Sequence, residues 1–204
     1  NIFKTLELTE KQLIARIRAH GRGFVFTAKL FSGLTDDSAS VRTALTRLVQ
    51  KKSIRRLAHG LYDLPEVHPK LGPISPSIEK VIEAIKISDA IEVQPTGAYA
   101  ANLLGLSTQI PMRIELYTNG PKRKIKFGKQ EIILRPTTPK NMIGAGTKAG
   151  LILHALRQIG KDNVTIEMIQ QIRSQLEEKD IKHIKKQVTF APAWIAKIMR
   201  SLVQ

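Results

Sequence analysis

Between Thr9 and Gly21 the apolar positions Leu13, Ile14 and Ile17 fall on one side of a helix, and Gly21 marks its end. Thr9 stands three residues before Gln12, the spacing of a capping box, and predicts where that helix starts. "GFVF" (23–26) is a short extended piece, and Thr27 is placed to cap a short second helix within 27–34. A third helix is predicted from "TDDSASV", with Asp37 or Ser38 as cap and carboxylates at the end the helix dipole favours. Its inner stripe is Val41, Ala44, Leu45, Leu48 and Val49. The run "IRRLAHGLYDL" (54–64) then alternates about His59–Gly60, the pattern of a β-hairpin.

Four of the ten prolines lie between Pro65 and Pro76. That density predicts a stiff, extended connector and sets the end of a first domain, residues 1–72. Beyond it, "SPSIEKVIEAIK" is predicted as a helix with Ser75 as cap and Pro76 at the first helical position. "AIEVQ", "MRIELYT", "KIKFG" and "EIILRP" have strand patterning, the last two pairing as a hairpin about Gly128–Lys129. "TGAYAANLLGL" is a helix rich in small residues that ends at Gly105, and periodic apolar stretches after Thr147 predict a helical C-terminal part. The fold class expected is α+β: an N-terminal winged helix-turn-helix, then a C-terminal α+β domain (73–204) with a small, mostly antiparallel sheet and several helices.

Charge changes what this layout means. Lys plus Arg number 33 against 17 for Asp plus Glu, a net of +16. Such a field attracts polyanions. There are no cysteines, so disulfides, thiolate catalysis and Cys-ligated metals are excluded. No apolar run reaches the roughly 18 residues of a membrane span and no signal-peptide pattern opens the chain, so no membrane partner and a cytoplasmic location are expected.

Three helices followed by a hairpin is the layout of a winged helix-turn-helix, whose third helix enters the major groove while the wing meets the backbone. An exposed helix also carries Arg and Lys simply because it is solvated. Here the order of elements and the sign of the charge agree, and the outward residues suit double-stranded DNA. Ser38, Ser40, Arg42, Thr43, Thr46 and Arg47 are short hydroxyls and arginines near the helix start, able to approach base edges. Lys51, Lys52, Arg55 and Arg56 follow at the helix end and first wing strand, placed for phosphates, and His59 sits at the wing tip. In the second domain Lys122, Arg123, Lys124 and Lys126 lie at or near a hairpin turn as further phosphate contacts.

The winged helix ending "GLYDLP", the joint "HPKLGPISPS" and the run "PTGAYAANLLGLSTQIP…IELYTNGPKR" together resemble the AbiEi-type antitoxins, transcriptional regulators of type IV toxin–antitoxin systems, over most of residues 8–160. The resemblance implies a repressor that binds repeats in its own promoter and counteracts a nucleotidyltransferase-type toxin. It puts the DNA-reading positions on the third helix, 38–52, and on the wing, 54–62. The second motif, 95–109, reads mainly as a structural signature of the second domain, and Thr96, Asn102 and Gln109 are its polar positions for the alternative, a toxin-facing role.

Two other classes compete. An enzyme needs clustered carboxylates and histidines. The five histidines (His20, His59, His68, His154, His183) are scattered, no Asp-x-Asp occurs, and "GAGTKAG" (144–150) reads more readily as a tight helix-start turn than as a phosphate cradle. No catalysis and no cofactor are expected. A basic RNA-binding structural protein is the other alternative, and an aromatic content of 5% argues against base stacking.

Overall fold

The computed structural model describes residues 2–34 and 37–204. The chain divides into two compact units, Asn1–Ala90 and Ile91–Gln204. The first has 15 basic against 9 acidic residues and the second 18 against 8, so both are positive. No helix among the described residues is long and apolar enough to cross a membrane.

The first unit begins with helix α1 (Ile2–Ala19), strand β1 (Val25–Thr27) and a single 3-10 turn (Ala28–Phe31). Helix α2 (Ser38–Gln50) and the hairpin of β2 (Arg55–Ala58) and β3 (Leu61–Asp63) follow. Strand β3 pairs antiparallel with both β1 and β2, giving the order β1-β3-β2. Gly60 takes φ +72° at the hairpin turn, a left-handed conformation that a side chain disfavours. The apolar stripes of both helices meet the sheet in one core: Leu13 and Ile17 from α1, Val41, Ala44, Leu45 and Leu48 from α2, Phe26, Phe31, Ile54, Tyr62 and Leu64 around them. Phe26 is the hinge of this packing, edge-on to Phe31 and stacked on Tyr62.

Four local expectations are corrected. Helix α1 runs from Ile2, so Thr9 lies buried inside it and its spacing to Gln12 is not a cap. The second helix is only the 3-10 turn: Thr27 makes no side-chain cap bond there, and its hydroxyl donates to Ser88 Oγ at 2.6 Å. The Pro-rich stretch is not a bare connector. It folds as a hairpin of β4 (Glu66–His68) and β5 (Gly72–Ile74), whose turn is closed by His68 Nδ1 accepting from the amides of Lys70 and Leu71. Helix α3 (Ile78–Asp89) is capped by Ser77, which accepts from the Lys80 amide, not by Ser75. Helix α3 packs along β1, and Lys29 pairs with Asp89 at 2.8 Å. These contacts place α3 in the first unit, so the compact units part after Ala90 rather than at the Pro-rich joint.

The second unit is also mixed: β6 (Val93–Pro95), α4 (Gly97–Leu103), β7 (Arg113–Thr118), β8 (Arg123–Phe127) and β9 (Gln130–Pro136). Then come α5 (Pro139–Met142), α6 (Lys148–Ile159), α7 (Ile166–Ser174), α8 (Glu178–Gln187) and α9 (Ala193–Ser201). The sheet order is β6-β7-β9-β8, antiparallel except for the parallel pair β7–β9. Small residues set the helical packing. Ala100 and Ala101 of α4 share one core with Ala149 and Ala155 of α6, which lets the two backbones approach closely. Gly150 is required at the start of α6, because a Cβ there would overlap the Gly144 carbonyl and the Gln94 side chain. Thr147 caps this helix by accepting from the Gly150 amide and donates to the Gly144 carbonyl at 2.7 Å, so "GAGTKAG" is a tight turn.

Candidate nucleic-acid interface

Helix α2 owes its position and start to Asp37. The Asp37 carboxylate accepts from the Ala39 and Ser40 amides at 2.9 and 3.0 Å and from the Ser40 hydroxyl at 2.8 Å. These bonds, the Ala39 amide first, hold the Asp37 carboxyl below its usual range. The cap is therefore charged at neutral pH and anchors the N-terminal turn. It also occupies the Ser40 hydroxyl, which the sequence had offered to DNA.

Burying Val41, Ala44, Leu45 and Leu48 turns Ser38, Arg42, Thr43, Thr46 and Gln50 outward, all exposed, with Arg47 half-buried on the flank. At about 100° per residue, Arg42 and Arg47 leave the helix about 140° apart. Neither makes a side-chain hydrogen bond or ion pair among the described residues. The Thr46 hydroxyl donates back to the Arg42 carbonyl at 3.0 Å, which leaves its oxygen available only as an acceptor.

The cations after the helix are held differently. Lys51 is bonded to Glu10, a carboxylate that α1 nearly buries, so Lys51 ties the end of α2 to α1. Lys52 is exposed at φ +55°, where the chain turns out of the helix. Arg55 grips Asp63 with both arms, Nε to Oδ1 at 3.0 Å and a terminal nitrogen to Oδ2 at 2.6 Å, and donates to the Ile74 carbonyl at 2.7 Å. Asp63 is 1% exposed. This is a buried cross-strand clamp of the hairpin. Arg56, by contrast, is exposed and lies 3.1 Å from His59 Nδ1 at the hairpin tip.

Of the expected DNA-facing residues, the fold thus gathers Ser38, Arg42, Thr43, Thr46, Arg47, Lys52, Arg56 and His59 as accessible groups and engages Ser40, Lys51 and Arg55 in local structure. The sequence missed Glu10 and Asp63, the carboxylates that do the engaging. In the second unit, strand alternation places Arg123 on the face opposite Lys122 and Lys124. The polar residues of the "PTGAYAANLLGLSTQ" run divide too: Asn102 donates to the Ser107 and Gln109 carbonyls and so fixes the following loop, and Gln109 is exposed. Among the described residues no three His, Asp or Glu side chains are grouped as a metal site requires.

A family model matches residues 12–184, spanning both units and the whole interface. The chain belongs to the DUF6088 family. DUF6088 is described as a family of unknown function. No curated protein matches this family member.

Proposed function

We propose that this DUF6088 protein is a DNA-binding transcriptional regulator that acts on duplex DNA at its own promoter, with α2 as the helix that enters the major groove. The observation that carries the reading is the outward face of α2: Arg42 and Arg47 without an ion pair among the described residues, beside Thr43, Thr46 and Gln50, on a helix fixed at its start by Asp37 and at its end by Lys51. Arg pairs with guanine and Gln with adenine in that groove. The order of elements supports a winged helix: α1, β1, the 3-10 turn, α2, then the β2–β3 hairpin with Arg56 and His59 at its tip. The charge surplus supplies the attraction to phosphate.

The run over 95–123 that resembles the AbiEi-type antitoxins extends the proposal: the regulator would also counteract a nucleotidyltransferase-type toxin. Footprinting the full chain on its own upstream region and on random DNA tests the regulator reading. Protection of a defined segment is the expected outcome, and indistinguishable patterns on the two DNAs would reject it. Co-expression with an adjacent nucleotidyltransferase tests the antitoxin role separately, through rescue of growth.

A further inference from the structure

One face of the second unit's sheet brings together cations that are far apart in sequence. The register sets Arg113 beside Glu131 and Lys126, Glu115 beside Ile133 and Lys124, and Tyr117 beside Arg135. Ile133 sits at the centre of this grid, buried, and Arg113, Lys122, Lys124 and Arg135 surround it with Pro136 to wall a cavity of about 470 Å³. Glu131 lies 3.5 Å from Arg113 and 3.8 Å from Lys124, and Glu115 lies 2.9 Å from Arg135. Each carboxylate fixes its cations without matching their number: the face carries Arg113, Lys122, Lys124, Lys126 and Arg135 against Glu115 and Glu131. Lys122 and Lys126 have no ion pair among the described residues.

With Lys126 beside the cleft rather than in its wall, the face as a whole carries more positive charge than one phosphate monoester, at about −1.5 to −2, would neutralise. The cations converge on one concavity of a size typical for small ligands, over an apolar floor, rather than lining a long stripe as a nucleic-acid backbone requires. We propose that this cleft binds a small anion with clustered phosphates, a nucleoside diphosphate or triphosphate being the ligand class that suits it. Lys122, Lys124 and the free N–H groups of Arg113 and Arg135 hold the phosphates, and Ile133 and Pro136 meet the nucleoside.

The site is independent of α2, and its test can be read whether or not α2 binds DNA. Calorimetric titration of the full chain with ADP, inorganic pyrophosphate and adenosine at near-physiological salt is the experiment. Saturable binding of ADP and pyrophosphate but not adenosine is expected. Lys124→Ala, on the edge strand β8, and Lys122→Ala, just before it, should each weaken it by about tenfold, the loss of one charge-assisted contact. The Lys185→Ala/Lys186→Ala pair on α8 and Arg42→Ala should leave it unchanged. Absence of saturable binding, or an equal loss in the α8 control, overturns the proposal. So does displacement of ADP by a plain duplex equally from wild type and from Arg42→Ala, because the cleft would then be a backbone contact. Circular dichroism and urea midpoints of each variant separate lost binding from lost fold.

Discussion

On the outward side of α2, Arg42 and Arg47 make no ion pair among the described residues, Arg42 feeling the Asp37 carboxylate only at longer range, whereas just beyond it Lys51 is tied to Glu10 and Arg55 to Asp63. The two regions are equally basic in composition. They differ in what the fold places opposite each cation. A guanidinium already gripping a buried carboxylate gains little from a phosphate, since it would have to abandon an anion that cannot be left unpaired. A guanidinium at the surface gives up only water. The contrast divides a run of cations from Arg42 to Arg56 into groups that are open to solvent and groups that build the platform.

The sharpest way to break this contrast is to remove the buried anion. Asp63→Ala leaves Arg55 with only the Ile74 carbonyl in place of its carboxylate and should cost about 2–4 kcal/mol of stability. Urea denaturation of the full chain measures it, and a loss well under 1 kcal/mol would show that the clamp is ornamental.

A held group of another kind lies in the second unit. His154 is buried edge-on to Tyr117, and burial, reinforced by the charge of Arg157, pushes its pKa down from 6.5 to about 4. The unfolded chain therefore binds the proton more readily. The contribution is fully present above pH 6.5 and erodes as pH falls through about 4, by about 3 kcal/mol in all. His154→Phe should flatten this acid limb of a stability–pH profile without altering DNA binding at pH 7.

Among the accessible groups, Arg42→Ala should cost about 1–3 kcal/mol on the promoter duplex and relax preference at one base pair, with stability unchanged. The smallest effects separate Arg56, at the hairpin tip, from Lys51, at the end of α2. Arg56→Ala should weaken all duplexes alike and lower the slope of log affinity against log salt by about 1. Lys51→Ala should leave that slope alone and cost about 1–2 kcal/mol of stability, because it strips the nearly buried Glu10 carboxylate of its cation. Equal slope changes in both variants would erase the distinction between held and accessible cations.

Much of this arrangement was legible in the sequence. The Asp37 cap, the inner stripe of α2 and the hairpin turn at His59–Gly60 follow from local spacing, and local hydrogen bonds enforce them. What was not legible depends on register and distance. A regular two-residue hairpin at 59–60 would set Arg56 opposite Asp63. The irregularity between Arg56 and Ala58 shifts the pairing, so that Arg55 meets Asp63 and Arg56 is released to the tip. Glu10 reaches Lys51 only because α1 packs on α2. The Pro-rich stretch misled for a related reason: Pro73 lies on a strand of a hairpin that stands alone, where its missing amide costs no central ladder bond. The cleft around Ile133 was hidden because the parallel pairing of β7 with β9 brings Arg113 and Arg135 to Lys124, and nothing local in the sequence announces a parallel pair.

The most direct test of the central claim is the affinity of the full chain for its own promoter duplex and for a scrambled duplex of equal length, measured across a salt series for wild type, Arg42→Ala and Arg55→Lys. The account predicts that wild type prefers the promoter, that Arg42→Ala narrows that preference by about 1–3 kcal/mol while staying as stable as wild type, and that Arg55→Lys keeps the preference while losing stability. Wild-type binding that does not distinguish the two duplexes, or an Arg42→Ala variant that retains the full preference, would contradict it.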